Sequence, residues 1–316
     1  MSELSFCHPA WSGPVHGVVP VIPTPFDNDE LVDFESLERM IDFAAGAGVT
    51  AVCLPAYGSE FYKLAERERA ELIRAAVRFA RGRVKVVAQS NHFSSKLAAE
   101  TARQNQDAGA GVISFALPRM FSLGEDDLLR YATRVAQSVT IPVLVQDFNP
   151  GGASVGARFA QRLHDASPNF RFLKLEEPLM APKVRAIREA TRGAVGVLEG
   201  WGGMYLLELL PAGICGTMPG LSIIDLFQSA VRNLREGDTA AASRLFERML
   251  PFIVYSLQNM ELYHHCEKGL LARRGLLQTV TVRDASVSPD ESARQYMEFL
   301  YDGIMQAVAS NGERVR

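Results

Sequence analysis

Eight short apolar runs rich in β-branched residues, each separated from the next by room for an amphipathic segment, constrain this chain more than any other feature. They are GVVPVIP (17–23), VTAVCLP (49–55), VKVVAQ (84–89), GVISFAL (111–117), IPVLVQD (141–147), FRFLKL (170–175), AVGVLEG (194–200) and GICGTM (213–218). The stretches between them, such as LVDFESLERMIDFAAGAG and LAERERAELIRAAVRFARG, carry apolar residues at helical spacing, charges on the opposite face and a glycine after the last turn. Near-continuous apolar strands alternating with helices imply parallel strands covered on both faces. Eight such units fit a closed TIM (β/α)8 barrel better than an open doubly wound sheet, which would show fewer strands and a G-x-G-x-x-G turn after the first. No such turn follows the first run. The reading is therefore an α/β chain with an N-terminal extension (1–12), a TIM barrel (13–222) and a C-terminal helical extension packed on the barrel (223–316).

Composition narrows the partners. The chain has 316 residues, 47% hydrophobic and 22% charged, which suits one large α/β core. A formal net charge of -3 and the lack of a basic run give no reason to expect nucleic acid or an anionic membrane as partner, so a small molecule is expected. The start MSELSFCHPAWSGP has no basic segment followed by an apolar run, and no stretch approaches the roughly 18 apolar residues of a membrane span. A cytoplasmic protein is the expectation. Cys7, Cys53, Cys215 and Cys266 form no C-x-x-C pair, which suggests neither a zinc site nor a disulfide framework, and Cys53 and Cys215 read as small core residues.

In a TIM barrel, chemistry sits where strands end and βα loops begin. That rule gives weight to FRFLKLEEP (170–178), a strand with Lys174 near its end and two carboxylates behind it. An arbitrary lysine there would reach solvent and pair with Glu176 or Glu177. At a barrel mouth, an amine in apolar surroundings sheds its proton more readily and becomes a nucleophile for a carbonyl. The other strand ends offer Tyr57, Gly58, Ser59 and Glu60, then His92, Arg119, Gln146, Asp147, Glu199, Gly200 and Thr217.

These residues resemble a known family. P-x-x-P-T-P-F near the start, G-S-E-x-x-x-L after the second run, K-L-E-E on the sixth and G-x-x-G-T-M-P-G on the eighth are similar, in order and spacing, to the dihydrodipicolinate synthase / N-acetylneuraminate lyase superfamily over roughly residues 13–275. The resemblance implies that Lys174 forms a Schiff base with the keto group of a 2-oxo acid. It implies that Tyr57, Gly58 and Ser59 cradle the substrate carboxylate and that the protein assembles as a homo-oligomer, a dimer or tetramer. Chemistry agrees, since an iminium at C2 withdraws electrons from C3 without a metal, and a tight Gly-Ser turn supplies N–H and hydroxyl donors. Glu60 reads as the residue that holds this loop.

The departures are equally informative. Typical members carry Y-N-x-P on the fifth strand, and its tyrosine relays protons; here Gln146 stands in its place, and glutamine cannot exchange a proton near neutral pH. The fourth-strand P-Y-Y is Pro118-Arg119-Met120, and the synthase arginine after Y-N-x-P is missing from Gly151-Gly152-Ala153-Ser154. Dihydrodipicolinate synthase activity is accordingly not expected. Candidates for the proton shuttle are Tyr57, Glu199 and, less favoured, His92. Asp147 would cap a loop or pair with Lys174, Glu176 would support the lysine, Gly200 and Thr217 would line the substrate, and Arg119 would hold a distal anion or a surface partner. The function expected is a Schiff-base lyase acting on a 2-oxo acid without a cofactor, either a pyruvate-type aldolase or a 2-keto-3-deoxy sugar acid dehydratase. The alternative is a catalytically reduced 2-oxo acid binding protein of the same fold. A metal-dependent aldolase is disfavoured, because adjacent His264 and His265 on one helix point in different directions.

Overall fold

A computed structural model describes residues 13, 15–149 and 152–314. The extension expected over residues 1–12 lies outside them. All eight runs form strands: β1 (Gly17–Val18), β2 (Ala51–Leu54), β3 (Lys85–Gln89), β4 (Val112–Ala116), β5 (Val143–Asp147), β6 (Phe170–Leu175), β7 (Gly196–Glu199) and β8 (Gly216–Thr217). From β2 to β8 each strand pairs in parallel with the next in sequence, and β1 pairs with β8. Between β1 and β2, Pro20 has no N–H to give, and the seam is carried by Ile22 N–H to the Cys53 carbonyl and Cys53 N–H to the Pro20 carbonyl, both 2.9 Å. With the Val21–Cys53 bridge, the sheet closes into a barrel.

The helices α1 (Phe34–Gly46), α2 (Glu66–Ala80), α3 (Ser95–Asp107), α4 (Glu125–Ala136), α5 (Ala157–Ala166), α6 (Ala181–Ala190), α7 (Leu206–Leu209) and α8 (Ile224–Arg235) follow their strands in turn. Their starts carry the signals expected of them: Asp33 and Ser94 accept backbone N–H bonds as N-caps of α1 and α3. Beyond the ring lie α9 (Thr239–Ser256), α10 (Met260–Arg273) and α11 (Glu291–Arg314).

The period of two along each strand sorts side chains into two layers. Ala51, Cys53, Val87, Val112, Leu144, Phe172 and Leu198 fill the barrel interior. Val52, Leu54, Val86, Ile113, Val145, Leu173 and Val197 face outward into the apolar layer beneath the helices. Among the described residues, no helix is long and apolar enough to cross a membrane.

Candidate active site

Counting by twos from Phe172 puts Lys174 inside the barrel, at the C-terminal end of β6, where it is 4% exposed. Its register partner on β5 is Gln146, two residues beyond the interior Leu144. Glu176 follows β6 and turns back over the mouth: Lys174 Nζ lies 2.9 Å from Glu176 Oε1, and Gln146 Nε2 donates to the same oxygen at 3.1 Å. Gln146 is itself oriented, because its Oε1 accepts from Gln89 Nε2 at 3.0 Å. Lysine, carboxylate and two amides thus form one chain of hydrogen bonds across β3, β5 and β6.

Above this chain opens a cavity of about 290 Å³, floored by Val21 and Met218 and bounded by Tyr57, Gly58, Phe148, Gly200 and Trp201. Gly200 is there because nothing larger fits: a Cβ would fall 2.4 Å from Glu176 Cγ and 2.6 Å from Lys174 Cε. One wall comes from outside the barrel, as Leu257, Gln258, Asn259, Met260 and Tyr263 of the α9–α10 turn and α10 line the same space.

The loop after β2 contributes a 3₁₀ turn, Tyr57–Ser59. Within it, the Ser59 N–H bonds the Ala56 carbonyl at 2.9 Å and the Glu60 N–H bonds the Tyr57 carbonyl at 3.1 Å, which leaves the Tyr57 and Gly58 N–H groups at the open amino end. These are anion-type donors at the cavity edge. The Tyr57 ring packs edge-on against Phe61 at 5.0 Å and lies 5.2 Å from Phe148. Burial first, then the charges of Glu176 and Asp147, raise its phenol above the ordinary value, so it remains a proton donor at neutral pH. Glu60 holds the loop from beneath: fully buried, it accepts from Lys268 Nζ at 2.5 Å and from the Arg283 N–H at 3.1 Å.

The profile of the Dihydrodipicolinate synthetase family matches residues 14–301. The chain belongs to this family. Within it, the chain is 28% identical over 295 residues to an L-2-keto-3-deoxyarabonate dehydratase from Azospirillum brasilense, covering 92% of this chain and 91% of that one. Its fold is that of the dihydrodipicolinate synthase from Rhodopseudomonas palustris (TM-score 0.85, 24% identity, 92% of this chain and 98% of that one). It is equally that of YagE, an Escherichia coli K12 prophage protein of the same family solved with pyruvate (TM-score 0.84, 23% identity, 92% and 98%).

Set against the sequence expectations for a dihydrodipicolinate synthetase family member, the structure gathers Lys174, Tyr57, Gly58, Gln146, Glu176 and Gly200 around one cavity. It separates the others from it. Ser59 faces the protein interior, where its hydroxyl donates to the Ile22 carbonyl at 2.5 Å and accepts the Ala56 N–H at 2.9 Å; it braces the cradle instead of lining it. Glu199 is in register with outward-facing Leu175, so its side chain lies behind the wall, not inside the barrel. Thr217 pairs with it there, donating to Glu199 Oε2 at 2.5 Å. Burial pushes the Glu199 carboxyl up to about 7 against the opposing pull of Thr217 and Lys174, and its Oε1 has no hydrogen-bond partner among the described residues. Glu199, expected as a candidate for the proton shuttle, therefore does not line the cavity.

Asp147, likewise outward, pairs with Arg119 and not with Lys174: Arg119 Nε reaches Oδ1 at 2.7 Å and Nη2 reaches Oδ2 at 2.5 Å. Its Oδ2 also accepts the Val155 N–H at 2.6 Å, which is the loop-capping role foreseen. Arg119 is thereby spent on a partner within the chain. His92 lies in the loop before α3, where Nδ1 accepts the Ser94 N–H at 2.8 Å, and it does not line the cavity. Sequence reasoning missed Trp201, Gln258, Asn259, Met260 and Tyr263, which reach the site by the packing of elements and not by their place on a strand. Gln89 carried a readable signal: it ends β3 two residues after the interior Val87.

Proposed function

We propose that this protein is a class I lyase in which Lys174 forms an imine with a 2-oxo acid, and that within this class it is a dehydratase of a 2-keto-3-deoxy sugar acid. The observation that carries the proposal is the Glu176 carboxylate, hydrogen-bonded at once by Lys174 Nζ and by Gln146 where the family places a tyrosine. A tyrosine there relays protons through a hydroxyl; a glutamine can only hold and orient. The work of proton transfer passes to the carboxylate that it holds.

The steps follow from those contacts. Glu176 takes the proton that the ammonium must lose, and the amine attacks C2 while the substrate carboxylate sits on the Tyr57 and Gly58 N–H groups. Glu176 returns that proton to the C2 hydroxyl, which leaves as water as the iminium forms, and the carboxylate is restored. Glu176 then removes a proton from C3 to give an enamine, and the C4–OH bond breaks as the same carboxyl, or Tyr57, protonates the departing hydroxyl. One water is lost overall, and hydrolysis of the imine returns Lys174. An aldolase branch would instead take the C4 hydroxyl proton and break C3–C4. The full-length likeness to a protein named as a dehydratase favours the first branch.

The test is reductive trapping. Pyruvate plus borohydride should add one pyruvyl-derived mass to the intact protein at Lys174, and Lys174→Ala should abolish it. A panel of 2-keto-3-deoxy sugar acids should yield products one water lighter; release of pyruvate would move the protein to the aldolase branch, and absence of any adduct would leave a binding protein. Within the same reading, we infer a cytoplasmic homo-oligomer, a dimer or tetramer. The exposed Phe93, Met120 and Phe121 on the loops after β3 and β4 offer it apolar contact surface, and sedimentation velocity decides.

A further inference from the structure

The charge inventory of the cavity is short. Among its described lining residues, Lys174 is the one cation and Glu176 the one anion, and they neutralise each other at 2.9 Å. The guanidinium that could have reached in from the β4 side, Arg119, is closed off by its two bonds to Asp147. Lys63 and Arg283, beneath the Tyr57–Ser59 loop, are likewise committed to Glu261 and Glu68. The substrate carboxylate has its own place on the two free N–H groups. Among the described residues a second anion would meet no free positive partner in the cavity, and it would share that space with Glu176.

The open end of the cavity is polar but uncharged. Gly202 brings the β7–α7 loop against the α9–α10 turn so closely that a Cβ on it would fall 2.8 Å from Leu257 Cδ1. This contact puts Trp201 and Gln258 on one rim. Asn259 stands beside them, its Oδ1 spent on the N–H groups of Glu261 and Leu262 as the cap of α10, which leaves its amide N–H₂ as a donor. Gln258 and Asn259 are exposed while Lys174 is buried, so a chain anchored at C2 runs outward towards them.

We propose that this site selects 2-oxo acids whose far end is neutral and hydroxylated, rejecting those that end in a second carboxylate or a phosphate, and that Gln258, Asn259 and Trp201 read that end. This rests on the class I lyase reading above. Amide and indole N–H groups bond a hydroxyl well, while an anion placed there keeps only part of its hydration and gains no ion pair.

The experiment compares 2-keto-3-deoxypentonate with 4-hydroxy-2-oxoglutarate, which has the same five carbons and C4 hydroxyl but a carboxylate in place of the terminal CH₂OH. Wild-type kcat/KM should favour the neutral acid by about 10-fold or more, the scale set by one poorly compensated charge. Gln258→Arg should raise kcat/KM for the diacid and narrow the gap to about 3-fold, on the same scale. Equal or better turnover of the diacid by the wild type overturns the proposal, and a Gln258→Arg variant whose preference does not move overturns the assignment of that residue. Borohydride trapping with pyruvate runs alongside: an adduct with no preference for the neutral tail counts against this inference alone, while the absence of an adduct removes the lyase reading and this inference with it.

Discussion

The proposed chemistry turns on Glu176. If it moves the protons, Glu176→Gln should lower kcat by a factor of about 10² to 10⁴, the usual contribution of a positioned acid–base group, while pyruvate still traps on Lys174 at a long endpoint, more slowly for want of the base that frees the amine. Loss of trapping to the same degree as loss of turnover would instead make Glu176 a positioner of the amine. The place of Lys174 at the cavity was legible from sequence because the C-terminal end of a barrel strand opens on the mouth and the K-L-E-E run ends the sixth strand. Glu199 and Asp147 lie away from the cavity for a reason also present in the sequence. Each directly follows an inward-facing residue, Leu198 and Gln146, so the alternation of a strand sends it outward. Parity along the strand, applied to each strand end, would have separated Lys174, Gln146 and Gln89 from both carboxylates.

At the level of elements, β7 packs the barrel interior with Leu198 on one face and carries a titrating load, Glu199, on the other. Glu199 takes up its proton near pH 7 when folded but near 4.5 when unfolded. Between those values the folded chain holds a proton that the unfolded chain has released, so stability is highest at the acid end of this window and falls as pH rises through about 7. A shift of this size corresponds to roughly 3 kcal/mol. Glu199→Gln removes the ionisation, so the difference in Tm between variant and wild type should grow by about 5 °C from pH 5 to pH 8. Differential scanning calorimetry at both pH values measures it, and a constant difference would refute it. Buried Glu267, also pushed up to about 7, and His264, pushed down to about 3, contribute equally to both proteins and cancel. The strands and their order could be read from the sequence because parallel buried strands are apolar without interruption; the boundary at 222 put helix α8 with the further helices of the extension, and the structure has it as the helix that follows β8.

For the whole molecule, the C-terminal helices are part of the site. Buried Lys268 of α10 pairs with Glu60 beneath the loop that presents Tyr57 and Gly58, and Tyr263 of the same helix would touch a Cβ on Gly58 at 3.1 Å. We propose that barrel and extension form one folding unit. Lys268→Met removes the shorter ion pair of the buried Glu60 carboxylate, leaving it Lys63 Nζ at 3.3 Å and the Arg283 N–H, and should cost about 3 kcal/mol in urea unfolding, the low end for breaking a buried pair. In the fraction that remains folded, KM for the 2-oxo acid should rise more than kcat falls, because the cradle is disturbed and the lysine is not. Unchanged stability would show that the pair is replaceable. This dependence was invisible in the sequence, since nothing local to residues 260–273 marks them as neighbours of residues 57–60. The closing seam has a consequence for how the protein is made. Gly17 finds its partner Gly216 only after nearly the whole barrel has been synthesised, and the cradle waits still longer for α10. Until then a nascent chain carries bare strand edges, the kind of surface on which ribosome-bound intermediates stick to one another, so its biogenesis should lean on chaperones that shield the first strands until the last arrives.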